Sequence, residues 1–145
     1  MITVTVRHHM SAGHRLHGLT GPGAKCRNLH GHTFGISWTF AVPDTTARDV
    51  EFGAVKTALR AWVDDKMDHG YIVHYDDEDL IEFLQRQRLK HYVINTPATT
   101  EAIACEIAKR TQALFPALGL TRVEVTEGPH NAAAWTADTR GVVGQ

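Results

Sequence analysis

The sequence predicts an α+β fold in which helices cover one face of an antiparallel sheet. Residues 2–16 and 30–42 alternate between apolar and polar side chains, which is the period of a strand with one buried face. In the middle of the chain, apolar residues are spaced by three and four, as in amphipathic helices. Alternation returns from residue 120. No repeat or linker divides the chain, so a single domain is expected over residues 1–145.

The two amino-terminal strands are predicted to bring three histidines together. His14 lies on the mostly apolar face of the first strand, and His30 and His32 share one face of the second. A glycine-rich connection, residues 18–28, joins these strands and favours an antiparallel hairpin. Because a hairpin places the end of one strand beside the start of the next, the three imidazoles should meet near the connection.

Three helices and a second hairpin are expected after the second strand. The helices are predicted over residues 51–67, 76–89 and 99–115, and the strands of the hairpin over residues 120–128 and 132–139. Thr99 and Thr100 mark the start of the third helix, because threonine hydroxyls cap helix amino termini. The first strand of this hairpin carries Glu127 on a valine-rich face, where a carboxylate needs a partner.

The composition argues against several classes of function. Fifteen basic and 16 acidic residues give a net charge of −1, without the broad cationic surface that favours nucleic-acid binding. No apolar run approaches the ~18 residues of a membrane span, and the amino terminus lacks the layout of a secretory signal. We therefore expect no nucleic-acid or membrane partner and a cytoplasmic location. Cys26 and Cys105 are the two cysteines, and both are expected to be free thiols.

The predicted meeting of His14, His30 and His32 indicates a zinc site. Neutral imidazoles are good zinc ligands, and three protein ligands leave a fourth position open for a substrate. A His-x-His pattern alone is more often a pair of ordinary surface or core histidines. The convergence of a third histidine from the neighbouring strand favours the metal.

Cys26 has two possible roles beside this cluster. As a thiolate four residues before His30, it could complete a closed Cys-His₃ structural zinc site. If it stays off the metal, the neighbouring cations Lys25 and Arg27 favour the thiolate, which could then act as a general base.

Asp68, His69 and Glu127 are further candidates. An acid next to an imidazole can fix its tautomer or stabilise its cation, although a lone Asp-His pair after a helix is more often a polar segment that ends the helix. Glu127 could pair with a core arginine, or it could accept hydrogen bonds from the amino-amidine edge of a heterocycle.

Six ordered motifs along nearly the whole chain resemble the 6-pyruvoyltetrahydropterin synthase and 6-carboxytetrahydropterin synthase family. They are "SAGHRL", "CRNLHGHTF", "VEFGAVKTAL", "MDHGY", "TPATTEAIA" and "VEVTEG". The resemblance implies a T-fold, in which two hairpins form a four-stranded antiparallel sheet and subunits assemble into barrels, usually hexamers. It also implies that His14, His30 and His32 hold zinc and that Cys26 is the general base. Asp68 and His69 would relay protons, and Glu127 and Thr100 would bind the pterin.

The short spacing from Cys26 to His30 resembles the carboxy-forming branch of the family. That branch implies a lyase that converts 7,8-dihydroneopterin triphosphate to 6-carboxy-5,6,7,8-tetrahydropterin, releasing acetaldehyde and triphosphate, on the path to 7-deazaguanines such as queuosine precursors. Triphosphate elimination of the 6-pyruvoyl type and a non-catalytic, zinc-stabilised oligomeric binding protein remain alternatives.

The sequence departs from the family pattern at three places. Gly70 stands where a larger polar residue often follows the Asp-His pair, and Gly128 stands where a threonine is common. The segment over residues 74–95 is longer than in compact members and could either cover the site or face solvent.

Overall fold

The structure is a computed structural model that describes residues 1–47 and 50–138. The strands are β1 (Ile2–His14), β2 (His30–Val42), β3 (Gly70–His74), β4 (His91–Ile94), β5 (Gly119–Glu127) and β6 (Asn131–Thr136). The helices are α1 (Phe52–Lys66), α2 (Glu78–Arg86) and α3 (Thr100–Leu114), with a 3₁₀ helix (Gly21–Arg27) in the connection between β1 and β2.

The strands form one mixed sheet of six, in the order β4-β3-β1-β2-β5-β6. The antiparallel pairs β1–β2, β2–β5 and β5–β6 join the two predicted hairpins side by side. The expectation of a four-stranded sheet is wrong, because β3 and β4 extend it with parallel pairing. These strands have five and four residues, which is too short for alternation to be recognised in a sequence.

The segment over residues 74–95 contains α2 and β4, so the β3-α2-β4 unit is a parallel pair joined by a crossover helix. In β3, Ile72 packs into the main core, whereas Val73 packs with Leu80 and Leu84 of α2. Successive strand residues point to opposite faces of a sheet. The expectation that the helices cover one face therefore fails for α2, which lies on the face of β3 opposite the main core.

The main core lies between the sheet and the helices α1 and α3. Its largest fully buried side chains include Phe34, Trp38 and Phe40, which alternate along β2 as the sequence predicted. Trp38 donates its indole N–H to Thr111 Oγ1 at 2.9 Å, so its polar atom is satisfied inside the core. This packing supports the long β1–β2 hairpin on which the three histidines lie.

The predicted helix and strand bounds agree with the structure to within a few residues. The side chain of Thr99 caps α3 by accepting from Ala102 N–H, in agreement with the predicted start of that helix. Part of the last predicted strand, residue 139, lies outside the described residues, so the single domain over residues 1–145 stays a prediction. No helix in the described part of the chain is long and apolar enough to cross a membrane.

Candidate functional site

The hairpin register brings the three histidines together. His14 at the end of β1 pairs directly with His30 at the start of β2, and Ala12 pairs with His32. The three ring centroids are 4.6 to 5.2 Å apart, and the rings are steeply tilted to one another. One ligand atom from each residue lies within 4.8 Å of the others. We call His14, His30 and His32 the histidine cluster.

Backbone carbonyls orient two of these rings. His14 Nδ1 donates to the carbonyl of Ala98 at 2.7 Å, and His30 Nδ1 donates to the carbonyl of Asn28 at 2.7 Å. A ring that donates from Nδ1 keeps the lone pair on Nε2, which is how metal-binding histidines are usually held. This arrangement leaves both Nε2 atoms available as ligands.

In the part of the chain that the structure describes, the Nε2 atoms of His14 and His32 are buried and make no hydrogen bond. A buried polar atom without a partner is costly, unless an ion or water satisfies it. Burial, which is the largest influence, lowers the pKa of His14, although its hydrogen bond to the Ala98 carbonyl opposes this. Burial thus favours the neutral, metal-binding form of this imidazole. The cluster therefore fits a divalent metal bound by three nitrogens.

Gly31 between His30 and His32 permits this close approach. A Cβ at this position would lie 2.9 Å from the backbone oxygen of Ala12 on the neighbouring strand. Any side chain would therefore push β1 and β2 apart between the ligands. The close packing of β1 against β2 therefore favours glycine between the two histidines of the His-Gly-His motif.

A small cavity of about 170 Å³ lies next to the cluster. His14 lines it together with Cys26, Thr100 and Glu127. Cys26 is a half-buried free thiol near the end of the 3₁₀ helix, and its carbonyl accepts from Leu16 N–H at 2.8 Å, which ties the helix to the end of β1. Cys26 thus lines the cavity. Among the described residues, it does not belong to the group whose ligand atoms lie within 4.8 Å of one another, which consists of the three histidines.

Glu127 projects from the end of β5 toward two polar side chains. Thr100 Oγ1 donates a short hydrogen bond to Glu127 Oε2, and Glu127 Oε1 lies 2.9 Å from His32 Nε2 without hydrogen-bond geometry. Among the described residues, the groups beside the Glu127 carboxylate are thus a hydroxyl and an imidazole, and its pairing with a core arginine stays an untested alternative. The carboxylate is only partly exposed and keeps acceptor capacity toward the cavity.

Asp68 and His69 form a hydrogen-bonded pair in the turn between α1 and β3. His69 Nδ1 donates to Asp68 Oδ2 at 2.7 Å, and Ser11 N–H donates to Asp68 Oδ1 at 2.8 Å. Burial opposes ionisation of Asp68, but these hydrogen bonds outweigh it and hold the pKa of the carboxyl below its usual value. Asp68 is therefore a stable carboxylate that orients the His69 ring.

The His69 side chain is 81% exposed and does not line the cavity of Cys26. It lines a larger cavity of about 490 Å³, to which His30 and His32 also contribute. Within the described chain, Cys26 and His69 therefore face different cavities, and the histidine cluster borders both. The structure brings together His14, Cys26, Thr100 and Glu127, and it keeps the Asp68–His69 pair apart from them.

The two glycine departures have structural explanations. Gly128 follows Glu127 at the β5–β6 turn with a φ of +65°, a conformation that favours glycine. A Cβ on Gly70 at the start of β3 would lie 3.1 Å from the backbone oxygen of Lys90. Glycine at these positions allows the turn and the β3–β4 approach.

Sequence reasoning missed the groups that orient the site. The carbonyls of Ala98 and Asn28 hold the histidines, and no side-chain pattern could have indicated a backbone atom. It also missed that His74 and Asp76 lie near His17, outside the histidine cluster. The spacing of His74 and Asp76 by two residues was the available signal.

A model of the family described as 6-pyruvoyl tetrahydropterin synthase matches residues 3–138. This chain belongs to that family. A Rickettsia bellii protein named 6-carboxy-5,6,7,8-tetrahydropterin synthase is 35% identical over an alignment of 123 residues that covers 81% of this chain and 83% of that protein. The predicted family and the prediction of a lyase enzyme are confirmed.

Solved structures show the same fold as this member of the 6-pyruvoyl tetrahydropterin synthase family. The 6-pyruvoyl tetrahydropterin synthase of Caenorhabditis elegans superposes with a TM-score of 0.65 at 22% identity, covering 94% of this chain and 95% of that one. An uncharacterized protein from Wolinella succinogenes has a TM-score of 0.74 at 16% identity, with coverage of 94% and 98%. The predicted α+β class is therefore confirmed.

Proposed function

We propose that this chain is a zinc-dependent carbon–carbon lyase that converts 7,8-dihydroneopterin triphosphate to 6-carboxy-5,6,7,8-tetrahydropterin, with release of acetaldehyde and triphosphate. The observation that carries the proposal is that His14 belongs both to the histidine cluster and to the cavity of Cys26, Thr100 and Glu127. A metal-binding group, a thiol and a carboxylate thus meet in one small region.

Zinc is the proposed metal because its preferred ligands include neutral imidazole nitrogens. His14, His30 and His32 would hold it, and three ligands would leave a coordination position for substrate oxygen. A bound zinc ion supplies Lewis acidity, which lowers the pKa of coordinated hydroxyl groups.

The chain's own residues then have distinct roles in the proposal. Glu127 accepts hydrogen bonds from the amino-amidine edge of the pterin, and the hydroxyl of Thr100 holds the carboxylate in place. The Cys26 thiolate removes a proton from a carbon of the substrate side chain. Asp68 orients His69, which transfers a proton as an acid or base.

The exposure of His69 suggests that a second subunit completes the site. The Asp68–His69 pair does not line the cavity of Cys26 within one chain. For Cys26 and His69 to act on the same substrate, a neighbouring subunit must supply one of them or the chain must move. We propose that a homo-oligomer, with a hexameric barrel as the favoured form, supplies the pair across an interface. Cys26 and His69 of different subunits would then act on one substrate.

Open strand edges support this assembly. β6 pairs on one side, with β5, and β3 pairs with β1 at Ala12 and Gly13, which leaves the first part of β1 without a strand neighbour on that side in the described chain. Unpaired edges favour pairing with another chain. Light scattering at micromolar concentration is expected to detect a species several times heavier than the 16.1 kDa chain. A lone 16.1 kDa species would contradict both the assembly and the shared site.

Product analysis separates the proposed reaction from its alternatives. Incubation with 7,8-dihydroneopterin triphosphate is expected to yield 6-carboxy-5,6,7,8-tetrahydropterin by mass spectrometry, together with equal amounts of acetaldehyde and triphosphate. Triphosphate without acetaldehyde would instead indicate elimination of the 6-pyruvoyl type. Absence of turnover by a folded, zinc-loaded oligomer would favour the non-catalytic binding protein.

The carboxy-forming reaction is preferred for two reasons. Cys26 and His30 are separated by the short spacing that resembles that branch, and relatives at 32–35% identity have the name 6-carboxy-5,6,7,8-tetrahydropterin synthase. The place of the product in 7-deazaguanine biosynthesis, including queuosine precursors, and the cytoplasmic location are parts of the same proposal.

A further inference from the structure

A second group of metal-binding side chains lies outside the histidine cluster. His17 follows β1, His74 is the last residue of β3, and Asp76 lies in the turn before α2. Asp76 Oδ1 is 2.6 Å from His74 Nδ1 and 3.3 Å from His17 Nε2. One ligand atom from each residue lies within 4.8 Å of the other two. We call these three residues the second cluster.

The second cluster borders a concave part of the protein. His17, His74 and Asp76 line a cavity of about 350 Å³, and the His74 side chain is only 13% exposed. Leu16 and Thr99 line both this cavity and the one that contains Cys26. The second cluster is therefore a neighbour of the candidate active site and shares no ligand with it.

The charges around the second cluster favour a cation over an anion. Arg15 also lines the cavity, but it donates two hydrogen bonds, at 2.7 and 2.6 Å, to the buried carboxylate of Asp77. This pairing lowers the pKa of Asp77, and the positive charge of Arg15 is already paired with that carboxylate. Glu78 and Asp79 add negative charge in the first turn of α2. A phosphate would meet this acidic segment, whereas a divalent cation would be attracted to it.

The Arg15–Asp77 pair also holds the framework of the second cluster. It joins the residue after β1 to the residue before α2; Arg15 is two positions before His17, and Asp77 directly follows Asp76. His74 is fixed by its position in the sheet, where it pairs with Ile94 of β4. The three side chains are thus held near one another by a partly buried ion pair and a strand.

We propose that His17, His74 and Asp76 form a second divalent-metal site, with two nitrogen ligands and one carboxylate. Two imidazoles select a cation of the zinc class over magnesium or calcium, which prefer oxygen ligands. Zinc bonds of ~2.0–2.2 Å place neighbouring ligand atoms roughly 3 Å or more apart. The 2.6 Å between Asp76 Oδ1 and His74 Nδ1 must therefore lengthen when a cation binds, and the half-exposed side chain of Asp76 permits that movement.

Zinc titration of the metal-free, full-length protein tests this site without reference to turnover. Calorimetry is expected to detect two zinc ions per chain in the parent protein. The double substitution His17→Ala and His74→Ala should leave one, and His91→Ala, a histidine outside both clusters, should leave two. One equivalent in the parent, or two in the double variant, would overturn the proposal.

A more conservative substitution controls for the possibility that the double variant does not fold. Asp76→Asn keeps the shape of the side chain and removes its charge, so the second equivalent is expected to bind at least about tenfold more weakly while the first is unchanged. Circular dichroism and melting of each variant establish that the comparison is between folded proteins. Unchanged affinity for both equivalents in the folded Asp76→Asn protein, or a second equivalent in the parent that binds only at millimolar zinc, would also overturn the site.

Discussion

Substitution of Cys26 by alanine is expected to lower kcat by ~10²- to 10⁴-fold, because it removes the proposed general base of the reaction. The thiol lies in the cavity of His14, Thr100 and Glu127 and is not among the close ligand atoms of the histidine cluster. Zinc content and melting temperature should therefore stay near those of the parent. Cys105→Ala is the matched control, since this second thiol is exposed on α3, and it should leave turnover unchanged.

The same variant separates a catalytic Cys26 from a structural one. If Cys26 were a fourth zinc ligand, its removal would open a closed site and weaken zinc binding. Because bound metal contributes to folding free energy, the melting temperature would fall with the zinc content. Joint loss of zinc and stability would refute the role as base, and full turnover would remove Cys26 from the mechanism. Turnover, zinc content and melting are to be measured on one preparation.

Replacement of both His30 and His32 by alanine is expected to abolish activity and remove one zinc ion per chain. The change deletes two of three imidazoles and leaves His14 alone, which cannot hold zinc tightly. The matched control is the double substitution His8→Ala and His9→Ala, which removes two histidines from the same hairpin, away from the cluster. Elemental analysis of folded, gel-filtered protein gives the stoichiometry.

The control also identifies the outcome that would contradict the cluster. If the His30 and His32 variant retained the zinc of the parent while the His8 and His9 variant lost it, the zinc ligands would include His8 or His9, in the middle of β1. Zinc-dependent stabilisation gives a second readout, because saturating a site at 1,000 times its Kd stabilises a protein by about 4 kcal/mol. The parent should therefore show a larger rise in melting temperature on zinc addition than the His30 and His32 variant.

Much of the candidate site was predictable because it depends on strand periodicity. His30 and His32 alternate with glycine and threonine along β2, and the hairpin register places His14 opposite His30. Alternation is a local property of the backbone, and so the sequence alone determined which face each histidine occupies. The same reasoning identified α1 and α3, whose apolar residues recur with the helical period.

The tertiary structure decided what no local pattern specifies. Whether Cys26 lines a cavity or joins the three histidines depends on how the 3₁₀ helix packs against the end of β1, a contact between the two ends of an irregular connection. The partners of Glu127 come from α3 and β2, and the Nδ1 partner of His14 is a carbonyl 84 residues away. The sequence by itself determined the fold class, the strand faces and the residue types of the candidate metal site. Long-range packing alone brought β3 and β4 into the sheet and separated Asp68 and His69 from Cys26, because short parallel strands and contacts between loops leave no periodic signal.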